Sequence, residues 1–206
     1  MTGWESGVYL GGPPGETYDQ FVQRGRDQLE VLLGQALTPS SMLCDVGCGA
    51  LRGGMWVSPL LDTDHYCGVE PNREMLNKGL ERFVDPAILA LKKPRFDNND
   101  RFDMSVFGER FTHVILRSIW SHTAKSQMEL SLDSFCEVAA PGAVMVASYN
   151  PVVPGTSDYK GTEWEKGTVH HSFRWIRSVC KSRGLTVRPL ARQPVNRQVW
   201  LRIKQV

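Results

Sequence analysis

Short, nearly continuous apolar runs alternate along the chain with longer segments in which apolar residues recur at helical spacing. The apolar runs predict buried strands at residues 42–46, 66–70, 113–117 and 143–149, and a weaker strand at 94–99. The segments between them predict helices that cover the sheet. This alternation is the order expected of a mostly parallel sheet with helices on both faces.

Polar capping residues, prolines and glycines mark where the predicted helices begin and end. The predicted helices are one after the Thr17-x-x-Gln20 capping box, one from about Arg52 that Pro59 interrupts, one capped by Asn72, one opened by Ser126-x-x-Glu129 and closed by Pro141-Gly142, and one from Ser172 to Arg183.

The last part of the chain departs from the parallel order. After Gly184, residues 185–190 and 198–203 predict two closing strands separated by a short linker. A linker this short suits a hairpin, because parallel neighbours need a crossover of about a dozen residues or more. The chain is therefore expected to form a seven-stranded α/β sheet that ends in an antiparallel hairpin. Residues 150–170, rich in Pro, Gly and Thr, are expected to form a functional loop.

The composition is that of a single domain of 206 residues with one sizeable core. The five cysteines show no paired spacing, and no further metal ligands surround Cys44 and Cys48. No run is long enough to span a bilayer, and the N-terminus lacks the pattern of a secretory signal. These features predict free thiols, no metal site and a cytoplasmic location.

The net charge of +2 conceals a basic end. Nine basic residues and no acidic residue follow His170. Arg174, Arg177 and Lys181 have the spacing that brings side chains to one face of the last predicted helix. A solvated face is one explanation, and an acidic substrate or nucleic acid is the other.

The clearest chemical signal lies in residues 42–54. A short apolar run ends in Asp45, and Gly47 and Gly49 follow in a D-x-G-x-G pattern. Glycines there allow a sharp turn out of a strand and let a ligand approach the backbone. A carboxylate at the base of the turn disfavours pyrophosphate and favours a ligand with cationic or hydroxyl groups. An ordinary strand-to-helix turn is the alternative.

The sequence DVGCGALRGG in this segment resembles the first motif of the class I S-adenosylmethionine-dependent methyltransferases, in the small-molecule subgroup whose motif ends in L-R-G-G. The family usually has a third glycine two residues after Gly49, where this chain has Leu51. The resemblance implies a Rossmann-like fold, S-adenosylmethionine as cofactor and S-adenosylhomocysteine as product. Residues 1–38 are then expected to form an N-terminal helical cap on a Rossmann-like core, 39–206, within one domain.

The resemblance places cofactor-binding residues at the ends of the first two strands: Asp45, Gly47, Cys48, Gly49, Arg52, Glu70 and Pro71. Arg52 lies where it would meet the carboxylate of the cofactor, and Glu70 where it would accept hydrogen bonds from both ribose hydroxyls. A nicotinamide enzyme would also place an acid at Glu70, but here Arg52 replaces the third glycine of its G-x-G-x-x-G pattern.

The adenine is expected to lie near DRFDMSVFGERFTHVIL, residues 100–116, which resembles the stretch in which the family holds this ring. Asp100 would accept from the adenine amino group, the backbone N–H of Arg101 would donate to a ring nitrogen, and Phe102 would cover the ring. The alternatives to Asp100 are Asn98, Asn99 and Asp103.

The segment RSIWSH, residues 117–122, resembles the subgroup's S-x-F-T-H stretch, which closes one side of the site and implies cofactor-binding roles for Arg117 and Ser118. His122 would be a general base, although a histidine that holds the next helix in place fits equally well. The residues expected to line the acceptor pocket are Tyr18, Trp120, Tyr149 and His170, with Tyr9 as a further candidate. A core or lid position is the alternative for Trp120.

The function implied by the resemblance is methyl transfer to an O, N or C nucleophile of a small molecule. Such an in-line displacement depends mainly on alignment of the two reactants, so no strong catalytic constellation is required. RNA or peptide methylation by means of the basic end is an alternative within the same enzyme class. A noncatalytic domain that binds S-adenosylmethionine and an NAD-dependent oxidoreductase are alternatives from other classes.

Overall fold

The computed structural model describes residues 16–191 and 198–206, so that Tyr9, Arg192 and Arg197 lie outside the described residues. Its strands are β1 (Leu43–Val46), β2 (Tyr66–Val69), β3 (Arg95–Asp97), β4 (Phe111–Leu116), β5 (Ala139–Tyr149), β6 (Leu185–Pro189) and β7 (Val199–Gln205). Its helices are α1 (Tyr18–Leu33), α2 (Gly54–Val57), α3 (Arg73–Phe83), α4 (Pro86–Lys92), α5 (Lys125–Val138) and α6 (Phe173–Lys181).

The strands form one sheet in the order β3-β2-β1-β4-β5-β7-β6. The neighbours from β3 to β5 are parallel, and β7 pairs antiparallel with both β5 and β6. This order confirms the predicted seven-stranded α/β sheet with an antiparallel closing hairpin. It differs from the dinucleotide-binding order, in which the sixth strand continues the parallel half of the sheet.

Apolar clusters cover both faces of the sheet. Val144 and Val146 of β5 belong to one cluster, and Met145 belongs to the other. Because neighbouring residues of a strand point to opposite faces, a strand covered on both sides is apolar without interruption. Leu32 of α1 and Phe135 of α5 bury their side chains completely on opposite faces. Each such side chain contributes about 1.5–3 kcal/mol to the stability of the fold.

The first two predicted caps are confirmed. The backbone N–H of Gln20 donates to Oγ1 of Thr17 at 3.3 Å, and the N–H of Thr17 donates to Oε1 of Gln20 at 3.1 Å. Asn72 accepts from the N–H of Met75 at 3.0 Å through Oδ1. Both interactions satisfy N–H groups that have no partner within their helix.

The predicted bounds of α5 were wrong at both ends. The helix begins after Ala124, whose N–H donates to Oε1 of Gln127 at 2.9 Å, and Ser126 is already its second residue. Gln127 therefore takes the place that the sequence pattern gave to Glu129. The helix ends at Val138, and Pro141-Gly142 lies within β5, where the pairing register with β4 shifts.

The helices around Pro59 and Pro86 also differ from the prediction. The helix expected from Arg52 is the four-residue α2, which ends just before Ser58 and Pro59. Helix α4 was not predicted, although Asp85 accepts from the N–H of Ala87 at 2.7 Å and Pro86 occupies the first helical position. Both of these are start signals that a short segment can satisfy.

The long loop after β5 is fastened to the loop after β4 by backbone hydrogen bonds. The N–H of Val169 donates to the carbonyl oxygen of Ser121 at 2.8 Å, and the N–H of Glu165 donates to that of His122 at the same distance. The side chain of Asn150 also donates to the carbonyl oxygen of Val169 at 3.0 Å. These hydrogen bonds therefore hold the 150–170 loop beside the carboxyl end of β4.

The predicted basic face of α6 is confirmed, since Arg174, Arg177 and Lys181 are all exposed. Arg183, by contrast, pairs with Asp133 of α5 at 2.5 Å. The five cysteines are free, and four of them are buried. No helix within residues 16–191 and 198–206 is long and apolar enough to cross a membrane.

Candidate cofactor site

The turn after β1 packs against the ends of both neighbouring strands. The N–H groups of Gly47 and Cys48 donate to the carbonyl oxygen of Val69 at 2.8 and 3.1 Å. Gly47 has a φ of 74°, and a Cβ there would lie 2.1 Å from Cδ1 of Ile119 in the loop after β4. Only glycine allows both this conformation and this close approach. A Cβ on Gly49 would have its nearest contact at 3.8 Å, with Cε of Met75, so there is space beside this residue for a ligand.

Glu70 lies directly beside the glycine turn. One carboxylate oxygen accepts from the N–H of Gly49 at 3.0 Å, and the other accepts from the N–H of Asn72 at 2.8 Å. Only 7% of the residue is exposed, and this burial raises the pKa of the carboxyl while the two N–H groups lower it. A carboxylate oxygen can accept more than one hydrogen bond, so both oxygens retain capacity for a ligand's hydroxyl groups.

Asp45 forms the base of the turn. Its Oδ2 accepts from the hydroxyl of Tyr66 at 2.6 Å, and only 4% of the residue is exposed. Burial raises the pKa of this carboxyl from 3.8 to about 6, the Tyr66 hydrogen bond lowers it, and the Glu70 carboxylate raises it. Two carboxyl groups at the ends of adjacent strands suit a ligand that carries hydroxyl groups and a positive charge.

Cys48 takes part in the glycine turn through its backbone N–H rather than through its thiol. Its side chain is 5% exposed, and burial raises the pKa of the thiol well above its ordinary value, with the Asp45 and Glu70 carboxylates adding to the effect. A neutral, buried thiol is inert as a nucleophile. Pro71, the last residue predicted in this group, is exposed and precedes the cap of α3.

Asn99 organises the loop that follows β3. Its Oδ1 accepts from the N–H groups of Arg101 and Asp103 at 3.2 and 3.0 Å. The Arg101 N–H expected to meet an adenine nitrogen therefore donates within the loop. Asp100 is exposed at the tip of this loop, and its adenine contact stays a prediction. Phe102 is half-buried with a φ of 59°, and it packs against the core.

Arg52, expected to meet the ligand's carboxylate, pairs with a carboxylate of the chain itself. Its Nη2 lies 3.2 Å from Oε2 of Glu16, and its guanidinium lies 4.9 Å from the centre of the Phe21 ring. Glu16 also pairs with Arg24 of α1. Sequence patterns did not single out Glu16 or Arg24, because neither belongs to the glycine motif.

Arg117 and Ser118 join the end of β4 to the closing hairpin. Arg117 donates to the side chains of Ser118 and Gln198, and its guanidinium lies 5.3 Å from the centre of the Trp200 ring. Burial, together with the nearby Arg52 and Arg24, lowers the pKa of Arg117 to about 9. Arg117 therefore makes structural contacts beneath α1, and its predicted contact with the cofactor stays a prediction.

No protein-family model and no curated protein sequence matches the chain. Solved structures do match it. The magnesium protoporphyrin IX methyltransferase ChlM from Synechocystis PCC 6803, crystallised with bound S-adenosylmethionine, superposes with a TM-score of 0.69 at 15% identity, over 100% of this chain and 92% of ChlM. The chain has the class I methyltransferase fold.

Two further proteins have the same methyltransferase fold. DesVI from Streptomyces venezuelae superposes with a TM-score of 0.64 at 17% identity, over 88% of this chain and 91% of its own. The glycopeptide N-methyltransferase MtfA, crystallised with S-adenosylmethionine, gives 0.65 at 12% identity, over 88% of this chain and 94% of its own. At these identities the likeness is one of fold, and the function is argued below from the site.

Two residues predicted for the acceptor pocket are buried in the core. Trp120 is completely buried, and its Nε1 donates to Oγ of Ser131 in α5 at 3.1 Å, which anchors the loop after β4 to that helix. Tyr149, at the end of β5, is 2% exposed and packs in the same cluster. The core position left open for Trp120 is the one observed, and a role of either residue in an acceptor pocket stays a prediction, because an aromatic residue near a strand end serves packing as readily as binding.

Tyr18 and His170 are accessible. Tyr18, in the first turn of α1, is 48% exposed and its ring centre lies 6.5 Å from that of Phe83. His170 is half-buried and its Nδ1 lies 2.9 Å from the carbonyl oxygen of Pro151, which fixes this nitrogen as a donor. Among the described residues, no group of three or more His, Cys, Asp or Glu side chains is placed to hold a metal ion.

His122 lies between the loop after β4 and the 150–170 loop. Its Nδ1 is 2.9 Å from the carbonyl oxygen of Gly167 and 3.2 Å from that of Glu165. Because a carbonyl oxygen can only accept, Nδ1 carries the proton, and Nε2 of the neutral ring keeps its lone pair. The ring stacks on Trp164 with its centre 5.3 Å away, which holds the imidazole in one orientation.

Proposed function

We propose that the protein transfers the methyl group of S-adenosylmethionine to a small-molecule acceptor. The observation that carries this proposal is the pairing of the Glu70 carboxylate with the N–H of Gly49 at the end of two adjacent strands. In a sheet of this order, ligands bind at the carboxyl ends of the strands, where the glycine turn admits a ligand to the backbone.

The described residues fit this cofactor. Glu70 has acceptor capacity for the ribose hydroxyls, and the buried carboxyl of Asp45 favours the cationic side of the ligand. Arg52 would hold the amino-acid carboxylate, and the loop that Asn99 organises would border the adenine. When bound, S-adenosylmethionine supplies an electrophilic methyl group, so the protein has only to align the acceptor with it and to remove a proton where the nucleophile carries one.

His122 is the residue we propose for proton removal. Its Nε2 has a free lone pair in the tautomer that the Gly167 carbonyl imposes. The Trp164 ring beside it provides an apolar surface for the acceptor. The acceptor we propose is a small molecule, as implied by the subgroup whose L-R-G-G motif this chain resembles. The five free thiols support the cytoplasm as the compartment.

Transfer of labelled methyl from S-adenosylmethionine to metabolite pools, followed by identification of the labelled product, tests the activity. The variant His122→Asn tests the role of the imidazole. The amide nitrogen of Asn can still donate to the Gly167 carbonyl, but Asn has no basic nitrogen that could accept a proton. Turnover is expected to fall about 10²–10⁴-fold while cofactor affinity is unchanged. Binding of S-adenosylmethionine without transfer to any acceptor would instead support a noncatalytic domain.

A nucleic acid or acidic peptide acceptor is the second candidate, and one observation favours it. The basic face of α6, formed by Arg174, Arg177 and Lys181, is exposed. Acceptor affinity that falls steeply as salt rises would support this candidate. Affinity that is independent of salt would support the small molecule.

A further inference from the structure

Glu16 is an acidic side chain buried beside the glycine turn and outside any helix. Its side chain is 2% exposed, and its two oxygens are divided between Nη1 of Arg24 and Nη2 of Arg52, the latter at 3.2 Å. Withdrawal of a carboxylate from water costs several kcal/mol unless paired cations offset it. Two guanidiniums that converge on one carboxylate are the arrangement a carboxylate-binding site requires.

The two arginines belong to a part of the structure that has little room to move. A Cβ on Gly25 of α1 would lie 2.1 Å from the carbonyl oxygen of Arg52, so the helix touches the backbone of the turn. The Arg52 guanidinium lies against the Phe21 ring of the same helix. The pair of Arg24 and Arg52, called the arginine clamp below, is therefore fixed relative to Gly49 and Glu70.

A carboxylate in the clamp offsets part of the positive charge that surrounds it. Arg117 interacts electrostatically with Arg52, Arg24, Asp27 and Glu16, which places three guanidiniums and two carboxylates in one cluster. Removal of the Glu16 carboxylate would leave one carboxylate and three guanidiniums among these five groups. A carboxylate from a ligand would offset the same positive charge that Glu16 now offsets.

We propose that Arg24 and Arg52 form the clamp for the amino-acid carboxylate of the cofactor, and that Glu16 occupies it as a built-in competitor that the cofactor displaces. This inference rests on the proposed function. It adds Arg24 to the cofactor site and assigns Glu16 a role in setting cofactor affinity.

The N-terminal cap of α1 does not depend on Glu16 remaining in the clamp. It immediately precedes Thr17, the N-cap of α1. The capping box between Thr17 and Gln20 holds the start of the helix without using the Glu16 side chain. Rotation of Glu16 therefore exchanges one carboxylate for another while α1 stays in place.

The test compares two ligands that differ only in the carboxylate, S-adenosylmethionine and its decarboxylated analogue, by isothermal titration calorimetry. Glu16→Gln keeps the size of the side chain and removes its charge, so it is expected to raise the affinity for S-adenosylmethionine about tenfold. Affinity for the decarboxylated analogue is expected to be unchanged. Asp19→Asn, an equal change of charge at an exposed residue of the same helix end, is the control and is expected to change neither.

A second variant, Arg24→Gln, is expected to change the affinity for S-adenosylmethionine in the opposite direction. It is expected to weaken S-adenosylmethionine about tenfold and to leave the decarboxylated analogue unchanged. Equal effects on both ligands, or none on either, would show that Glu16 and Arg24 form a purely structural ion pair. If the unmodified protein bound neither ligand, the proposed function itself would fail, and this inference with it.

Discussion

Asp45→Asn is expected to stabilise the protein at neutral pH. The carboxyl is 4% exposed and has the Tyr66 hydroxyl as its hydrogen-bond donor. Burial raises its pKa from 3.8 to about 6. The folded protein therefore binds a proton at this residue in a pH range in which the unfolded chain has already released it.

The sign and size of the effect follow from this raised pKa. The stabilising contribution of Asp45 is complete below its unfolded pKa of 3.8 and is lost as the pH rises through about 6. A difference of roughly two pKa units corresponds to about 3 kcal/mol of unfolding free energy. Asn is neutral at every pH and resembles the protonated acid. The variant should therefore gain about 3 kcal/mol on the unmodified protein between pH ~4 and pH ~7.

Urea unfolding followed by tryptophan fluorescence measures this difference. Both proteins are unfolded at several pH values, and the difference between their unfolding free energies cancels the titration of groups they share. A difference that does not change with pH would refute the reasoning. Tyr66→Phe is the matched control, because loss of the donor should raise the pKa of Asp45 further and move the pH-dependent range upward.

Three other substitutions test the remaining assignments. Glu70→Gln should weaken S-adenosylmethionine by about tenfold or more, since a neutral amide is a poorer acceptor for the ribose hydroxyls, and calorimetry with circular dichroism as a check on folding decides this. Trp120→Phe removes the donor to Ser131 and should cost about 2 kcal/mol of stability without a change in the KM for the acceptor, whereas a raised KM would support the predicted role of Trp120 in the acceptor pocket. Replacement of the whole basic face of α6 by glutamine should leave the affinity for the acceptor unchanged, and a large loss of acceptor affinity would favour nucleic acid.

Strands and most helices were predictable because their signals are local. The Thr17-x-x-Gln20 box and the Asn72 cap were confirmed. The apolar run of residues 143–149 predicted β5 because a strand that is covered on both faces has apolar residues at successive positions. The start of α5 failed because Ser126-x-x-Glu129 competes with a second possible start two residues earlier. Gln127 can reach back to the N–H of Ala124, and packing of the helix chose that start.

The candidate site was predictable only as far as its motif extends. The glycine pattern pointed to Asp45 and the end of the second predicted strand pointed to Glu70, and the fold brings these residues to adjacent strand ends. Glu16 and Arg24 were missed because their pairing with Arg52 depends on how α1 packs on the turn. Gln198 reaches Arg117 from the closing hairpin, 81 residues further along the chain. Contacts of this kind follow from topology rather than from any local pattern.

Two separate costs to stability meet at the carboxyl edge of the sheet. The first cost is the buried carboxyl of Asp45, which destabilises the fold at neutral pH because burial raises its pKa. The second is the backbone of Ser118, whose φ of 59° is a left-handed conformation that is unfavourable for a residue with a side chain. Ser148 accepts from the N–H of Ser118 at 2.8 Å, and Gln198 accepts from its hydroxyl at 3.0 Å. The strained loop so held places Ile119 against Gly47. Both costs agree with a turn preorganised for a ligand, which is the role we propose for it.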